Sequence, residues 1–347
     1  MLVSERHMRS FMKHLSTKKY ITFIYIFGVL FFLGSAVFGM LSGASHISIS
    51  DLFQMIVSRD KTSPVSRIFL YVRFPRVLAS LACGAALSVS GAVIQGVLNN
   101  RLASPGLIGI NSGAGLAVTL CAAFGVLGGF RVALFSFLGS FAAVLLISLG
   151  AKKWNASAGT LILMGVALNS LLGAISDTVT TFFPEVSISN NDFKIGDFSA
   201  VTYVKLVPSL LLISISLLLL FTLSVQLDVL TLGEDSAKGL GMNTTAIRVT
   251  FLILSALLAG SAVSVCGLLS FVGLLVPHAV RRIAGGAAKH LLPLSALLGG
   301  GFVTLSDTLA RTVFAPYEIP VGIIMAFIGT PFFTFILIKR RRGEARD

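Results

Sequence analysis

Runs of about twenty consecutive apolar residues recur along the whole 347-residue chain, and they constrain its fold more than any other feature. A helix of about that length spans the ~30 Å hydrocarbon core of a bilayer, where a backbone satisfies its polar groups only within helices or a closed barrel. Hydrophobic residues make up 55% of the chain and charged ones 12%, which excludes a soluble globular protein. The sequence predicts an all-α polytopic membrane protein.

The apolar runs predict about ten transmembrane helices. The first run, 20–41, follows five basic residues and resembles a signal peptide, but we expect an uncleaved helix because the same pattern recurs downstream. The second helix is expected to begin near Pro75. The run at 271–284 is short and contains Pro277, which predicts a kinked or partly re-entrant segment, and 183–205 has room for a short external helix. The eight runs after the second helix are 107–127, 132–150, 159–182, 206–226, 249–270, 271–284, 291–310 and 319–338.

Lysine and arginine are distributed unequally between the two sides of this topology. With ten spans both termini lie on one side, which carries eighteen Lys and Arg against nine on the other. The positive-inside rule then places both termini in the cytoplasm. We therefore expect a cytoplasmic tail (1–19), a single transmembrane domain (20–338) and a second cytoplasmic tail (339–347). The net charge of +13 is explained by these flanking residues, so we expect contact with a lipid bilayer and none with nucleic acid.

The segment 227–248, LDVLTLGEDSAKGLGMNTTAIR, is polar and rich in glycine, and lies on the predicted cytoplasmic side. Thr231 followed by Glu234 matches a capping box, in which the two side chains satisfy backbone N–H groups at the start of a helix. We therefore expect a short helix to begin near Leu232.

Glycines limit the length of that helix. Gly239 and Gly241 adopt the left-handed conformation at low cost and are expected to end the helix after about two turns. Asn243 or Thr244 can then cap the next helix. A short helix, a glycine turn and a return into the membrane could present a surface to a soluble partner, or could be a solvated loop without one.

Small residues recur at every fourth position of the second predicted helix, at Gly84, Ser88, Ala92 and Gly96. Such a stripe allows another helix backbone to approach closely, which predicts a central position in the bundle. A turn is expected at NNRLASPG (99–106), where proline and glycine interrupt the helix.

The chain lacks the motifs of several enzyme classes. It has no GK dipeptide and hence no nucleotide-binding P-loop, and no HExxH or GxSxG motif. The three cysteines lie in apolar runs without CxxC spacing, which is typical of small buried side chains. We expect no catalytic, cofactor or metal site in this chain.

Five ordered stretches carry a resemblance to a known family. They are RFPRVLASLACGAALSVSGAVIQGVLNNRLASPGLIGINSGAG (73–115), LGEDSAKGLGMN (232–243), GLLSFVGLLVPHAVRR (267–282), LSDTLARTVF (305–314) and EIPVGIIMAFIGTPFF (318–333). Together they resemble the FecCD-type permeases of ABC importers for ferric siderophores, haem and cobalamin. The resemblance implies a cobalamin-importer-like permease that dimerises, two cytosolic ATPase subunits and an extracytoplasmic substrate-binding protein at a bacterial cell membrane.

The resemblance also implies roles for particular residues. Arg73, Arg76 and Arg311 match arginines of the family's external face, on which the binding protein docks. Snorkelling at a helix start is the alternative for the first two, and for Arg311 it is a local pair with Asp307, one helical turn earlier. The residues that match the family's ATPase-coupling loop are Leu232, Gly233, Glu234, Gly239, Leu240 and Gly241.

Two polar residues lie at or near membrane depth in the run 159–182. Asn169 and Asp177 are costly in lipid, so they should either line the transport pathway or bond to a neighbouring helix. The segment DFKIGDFS (192–199) departs from the family's pattern, in which a tryptophan often precedes an external Gly-Ser, and no ligand is inferred from it.

Two other functions compete with transport driven by a partner ATPase. An ion-coupled secondary transporter would use carboxylates at the membrane midplane, for which only Asp177 and Asp307 are available. A membrane-embedded enzyme would need a catalytic cluster that the sequence does not show. The expected cargo is an iron chelate, with ferric siderophore first and cobalamin or haem as alternatives.

Overall fold

A computed structural model of the chain describes residues 2–43, 63–126, 129–154 and 156–344, and none of these residues forms a β-strand. Arg59, Lys61 and Arg346, which the charge count includes, lie outside these ranges. The helices are α1 (Leu2–Leu41), α2 (Pro64–Val97), α3 (Ile110–Ala123), α4 (Gly129–Lys153), α5 (Ala158–Phe182), α6 (Val186–Ile195), α7 (Tyr203–Thr222), α8 (Ser224–Thr231), α9 (Glu234–Gly239), α10 (Thr244–Cys266), α11 (Val272–Ala284), α12 (Ala288–Ala310) and α13 (Val321–Glu344).

Seven of these helices are long and apolar enough to cross a membrane, namely the apolar part of α1 (Lys19–Leu41) together with α2, α4, α5, α7, α10 and α12. The other three predicted spans correspond to α3 with 14 residues, α11 with 13 residues and α13 with 24 residues. All ten predicted runs are therefore helical over most of their described residues, but α3 and α11 are shorter than a full crossing requires.

Helix α2 lies at the centre of the bundle, as its small-residue stripe predicts, and it packs most extensively against α12 and α10. Backbones meet so closely that a Cβ added to Gly84 would lie 2.3 Å from the carbonyl oxygen of Gly299. The hydroxyl of Ser88 donates to the carbonyl of Ser295 at 2.6 Å. The α-helical section begins at Phe74, as predicted near Pro75, but it is preceded without a break by a π-helical section, Phe69–Arg73, and by a helical turn that begins at Pro64 after the N-cap Ser63.

A non-helical stretch precedes α11 and explains its short length. Gly267 and Phe271 both have positive φ, at 69° and 66°, so α10 cannot continue into α11. The N–H of Leu268 donates to the carbonyl of Phe193 at 2.9 Å, which satisfies part of the exposed backbone. The short helix expected within 183–205 is confirmed as α6, and its C-terminal end supplies this contact. Part of this non-helical backbone is therefore hydrogen-bonded within the protein, the condition under which such backbone is tolerated in a membrane.

Candidate functional site

The predicted coupling segment folds into two short helices, α8 and α9, before α10 begins. The predicted capping box between Thr231 and Glu234 does not form. Thr231 instead ends α8 and donates a hydrogen bond from its hydroxyl to the carbonyl of Asp228 at 2.7 Å. Helix α9 starts instead at Glu234 after Gly233, whose φ is 104° and which provides no side-chain cap. The reason is that α8 continues helical structure through Thr231, so this residue is at a helix C-terminus and its hydroxyl points back along α8.

The glycine turn that follows α9 is confirmed at one of its two predicted positions. Gly241 has a φ of 81°, whereas Gly239 is the last helical residue of α9. Asn243 caps α10, as predicted, by accepting a hydrogen bond from the N–H of Ala246 at 3.0 Å.

Glu234 fixes α9 to the start of α10. Its carboxylate oxygens lie 3.2 Å from Nη2 of Arg248 and 2.8 Å from Nζ of Lys238. Arg248 is nearly fully buried and also donates to the carbonyl of Ala156 at 2.8 Å, so it joins α9, α10 and the loop before α5.

The pKa of Glu234 is held below its usual range, first by the hydrogen bond from Lys238 and then by Arg248. A lowered carboxylate pKa means that the folded state binds the proton less tightly than the unfolded state. The pair therefore stabilises α9 above the ordinary pKa of glutamate and is lost as the pH falls through the lowered value.

Two leucines of this segment project outward. Leu232 is 63% exposed and Leu240 is 67% exposed, although both belong to a segment that ion pairs hold in place. Apolar side chains are thus exposed at both ends of one short, anchored helix, where a protein partner can reach them. Sequence reasoning identified these leucines through the resemblance, but it missed Arg248, which no local pattern distinguishes from an interfacial cation.

Arg76 lies in the N-terminal half of α2, away from the coupling segment, and is the centre of a buried ionic cluster. It donates from Nε and Nη2 to both carboxylate oxygens of Asp307 at 2.9–3.1 Å, and from Nη1 to Glu318 at 2.7 Å. Asp197, after α6, lies 3.9 Å from the same guanidinium group. The cluster therefore connects α2, α12, the start of α13 and the end of α6.

The other two predicted docking arginines are also engaged within the chain. Arg311 lies 3.5 Å from Asp307, which is the local pair considered as an alternative, and donates to the carbonyl of Gly39. Arg73 donates to the carbonyls of Met40 and Leu41 at 2.9 and 2.8 Å.

All three docking arginines are at most 5% exposed, so none snorkels to a surface. The structure brings Arg76 and Arg311 together around Asp307, which agrees with the prediction that both arginines lie on the same side of the membrane. Their docking role stays a prediction. The connections between Arg76, Asp307 and Glu318 join residues more than 200 positions apart, which no local sequence signal reveals.

Asn169 and Asp177 occupy different environments on α5. The amide of Asn169 accepts a hydrogen bond from Ser112 and donates to the carbonyl of Gly106 at 3.0 Å, so it joins α5 to α3 and the turn before it. Asp177 is exposed on the face of α5 that no other described helix covers. The interhelical bond is therefore present at Asn169, and pathway lining stays a prediction for both.

Comparison with known proteins identifies the family to which this chain belongs. The sequence profile of the FecCD transport family matches residues 29–339. The chain belongs to the FecCD transport family. Among FecCD relatives, the uncharacterized ABC transporter permease YvrB of Bacillus subtilis is 36% identical over 92% of this chain and 94% of its own length. The hemin transport system permease HmuU of Yersinia pestis is 34% identical over 93% and 96%.

A solved structure supports the FecCD fold. An inward-facing structure of a transporter assigned to the metal-chelate type of ABC transporters superposes with a TM-score of 0.81. It is 29% identical, and the match covers 93% of this chain and 99% of that one. The chain is therefore a multi-pass membrane permease of the iron-chelate and haem ABC importer family.

Proposed function

We propose that this chain is the permease subunit of an importer that moves a ferric siderophore into the cytoplasm of a bacterial cell. The observation that carries the proposal is the anchored helix α9, which presents Leu232 and Leu240 outward on a chain of the FecCD family. ATP hydrolysis belongs to two separate ATPase subunits that bind this helix and the residues on either side of it, which include the coupling residues Leu232, Gly233, Glu234, Gly239, Leu240 and Gly241. The relatives support an iron chelate as cargo: besides the hemin permease, they include the Fe(3+)-citrate permease YfmD and the iron-uptake permease FeuB of Bacillus subtilis.

A second permease subunit completes the membrane domain in this proposal. The free face of α7 is mainly apolar, with Val204, Leu211 and Leu218 each more than 60% exposed, as suits contact with lipid, and its exposed polar side chains are the hydroxyls of Ser214 and Thr222. The free face of α5 differs because it exposes a carboxylate, that of Asp177, near the hydroxyl side chains of Ser170, Thr178 and Thr181. Polar groups at membrane depth face protein or a water-filled pathway, so this face of α5 meets the second subunit and lines the path between the two.

The extracytoplasmic binding protein docks at the end of the molecule that holds Arg73, Arg76 and Arg311. Glu318 is the accessible member of the cluster, with 39% of its side chain exposed while it accepts a hydrogen bond from Arg76. An acidic side chain of the binding protein could replace Glu318 at this guanidinium group without disturbing the Arg76–Asp307 pair. Electrostatic complementarity of this kind chiefly sets association rate and specificity.

An ion-coupled secondary transporter is disfavoured by the same cluster. Asp307, one of the two candidate carboxylates, is fully buried between Arg76 and Arg311 and is not free to exchange a cation. A cation-coupled mechanism would then depend on Asp177 alone.

Uptake measurements test the cargo. A strain that lacks this gene should lose uptake of a radio-iron-labelled ferric siderophore, and the gene supplied on a plasmid should restore it. Loss of haem or cobalamin uptake with intact siderophore uptake would reassign the substrate within the family. Uptake that persists when ATP is depleted but a membrane potential is maintained would contradict the ATP-driven mechanism.

Two serine-to-cysteine variants test the orientation. We expect Ser187→Cys, on α6, to react from outside intact cells with an impermeant maleimide, and Ser236→Cys, on α9, to react only after permeabilisation. Both serines are exposed, whereas the native Cys83, Cys121 and Cys266 are buried and should give little background. The reverse labelling pattern would overturn the cytoplasmic position of the coupling segment.

A further inference from the structure

A polar cavity of about 250 Å³ lies beside the coupling segment and is not explained by the fold. Its walls come from the C-terminal ends of α2 and α11, from α8 and from the N-terminal end of α12. Arg101 and Arg281 both line it, together with Gln95, Asn99 and Asn100. All of these polar side chains except Gln95 belong to loops or helix ends at the predicted cytoplasmic face.

The two arginines of this cavity have no carboxylate partner among the residues that the structure describes. Arg281 donates a hydrogen bond to the side-chain oxygen of Gln95, whose amide nitrogen in turn donates to the carbonyl of Gly273 at 3.1 Å. Gln95 is 3% exposed, so this chain of bonds fixes the guanidinium group of Arg281 at the cavity wall. Asp228 also lines the cavity, but its Oδ1 accepts the backbone N–H of Ala288 at 2.8 Å and it lies beyond ion-pair distance of both arginines.

The start of α12 adds to the positive potential of the cavity. Ala288, the first residue of this 23-residue helix, lines the wall, and its N-cap Ala287 supplies no side-chain acceptor. The N-terminal end of a helix carries a partial positive charge and favours anions. Two guanidinium groups and a helix N-terminus therefore line the same cavity. The single carboxylate in its lining is that of Asp228, which already accepts the N–H of Ala288.

The position of the cavity indicates which groups can enter it. Helices α2, α8, α11 and α12 enclose it, and its exposed rim is the loop residues 99–101 and 285–287, so it opens toward water and not toward lipid. The same rim adjoins α8, which leads directly into the exposed Leu232 and α9. A partner that covers the coupling segment would therefore lie within reach of this cavity.

We propose that this cavity is a second ATPase contact, in which an aspartate or glutamate side chain of the ATPase subunit inserts between Arg101 and Arg281. The inference rests on the proposed function, because it assumes that an ATPase covers α9. It adds a charged contact, formed by α2 and α11, to the apolar contact at α9. Movement of the ATPase would thereby act directly on the central helix α2 as well as on α10.

Zero-length cross-linking tests the contact. In the complex purified from membranes, Arg101→Lys keeps the positive charge and adds an amine that a carbodiimide joins only to a carboxylate in direct contact. Arg101 is exposed, so the substitution should not disturb folding. We expect one new cross-linked peptide that joins position 101 to an acidic residue of the ATPase subunit. Arg131→Lys, an equally exposed change at the predicted external end of α4, is the matched control and should give no ATPase cross-link.

Charge reversal provides a second readout. Arg101→Glu should weaken retention of the ATPase subunit by about tenfold or more, because like charges then meet across the interface. A cross-link from position 101 to Asp228 of the same chain would overturn the proposal, since the cavity would then be neutralised internally. Retention by Arg101→Glu equal to wild type, with no cross-link to the ATPase, would also overturn it. In either case an ATPase retained by the wild-type chain leaves the proposed function standing, whereas its absence from the wild-type complex would defeat the proposed function itself.

Discussion

Replacing Gly241 by valine should abolish uptake and release the ATPase subunits while the membrane-spanning helices remain folded. Gly241 has a φ of 81°, a left-handed conformation that costs an ordinary L-residue about 1–2 kcal/mol and is a severe outlier for a β-branched one. A Cβ at this position would meet no atom within 4 Å, so the strain is confined to the backbone of the turn. The turn would rearrange, and Leu240 and α9 would leave the position that the partner recognises. Uptake of the labelled cargo and co-purification of the ATPase measure the effect.

Gly239→Ala is the matched control. Gly239 is helical, and an added Cβ has the same open space around it, so alanine should be tolerated and should slightly favour α9. The two substitutions thus add side chains two residues apart on one exposed surface and differ in backbone strain. Normal uptake and normal ATPase retention in Gly241→Val would refute the assignment of this segment as the coupling site. Equal losses in both variants would show that contact area, and not turn geometry, is what the partner requires.

The helical architecture could be predicted from the sequence because its physical cause is local. Twenty apolar residues in a row have few folds available in lipid, and the stripe from Gly84 to Gly96 identifies the central helix without knowledge of its neighbours. The errors occur where tertiary structure decides a boundary. The α-helical section of α2 begins at Phe74, close to the predicted start, but the π-helical section and the helical turn from Pro64 that precede it were not predicted. The capping box at Thr231 failed because α8 already occupied that residue with helical backbone.

The features of the candidate sites also separate into local ones, which the sequence predicts, and long-range ones, which it does not. Asn243 as an N-cap, Gly241 as a left-handed turn and Asp307 beside Arg311 are contacts within four residues, and sequence spacing predicts them. The partners of Arg76 lie 231 and 242 residues away, so only the folded chain shows that this arginine is buried and engaged. The topology count gave Arg76 a side of the membrane and the family resemblance gave it a role, but neither gave its environment within the chain.

Asp307→Asn should cause the largest loss of stability among single substitutions of the ionic cluster. Asp307 is fully buried, accepts three hydrogen bonds from Arg76 and lies beside Arg311, so the neutral amide leaves two buried cations without their shared counter-charge. Removing one member of a buried ion pair costs about 3–5 kcal/mol, most of it from the uncompensated charge. The expected result is a lower yield of folded permease and a lower midpoint of thermal unfolding in detergent, with ATPase binding retained by the molecules that fold.

Glu318→Gln separates this structural role from docking of the binding protein. Glu318 is partly exposed, and Arg76 keeps Asp307 when Glu318 is neutralised, so thermal stability should change by at most about 1 kcal/mol. If an acidic side chain of the binding protein competes for Arg76, this variant should bind the delivery protein more tightly than wild type does, because its internal competitor is weakened. Weaker or unchanged affinity in Glu318→Gln, together with the stability loss in Asp307→Asn, would assign the whole cluster to folding and leave docking to other residues of that face. Exchanging Arg73, Arg76 and Arg311 together for glutamate would not make this distinction, because it would place three further carboxylates at buried positions, two of them beside Asp307.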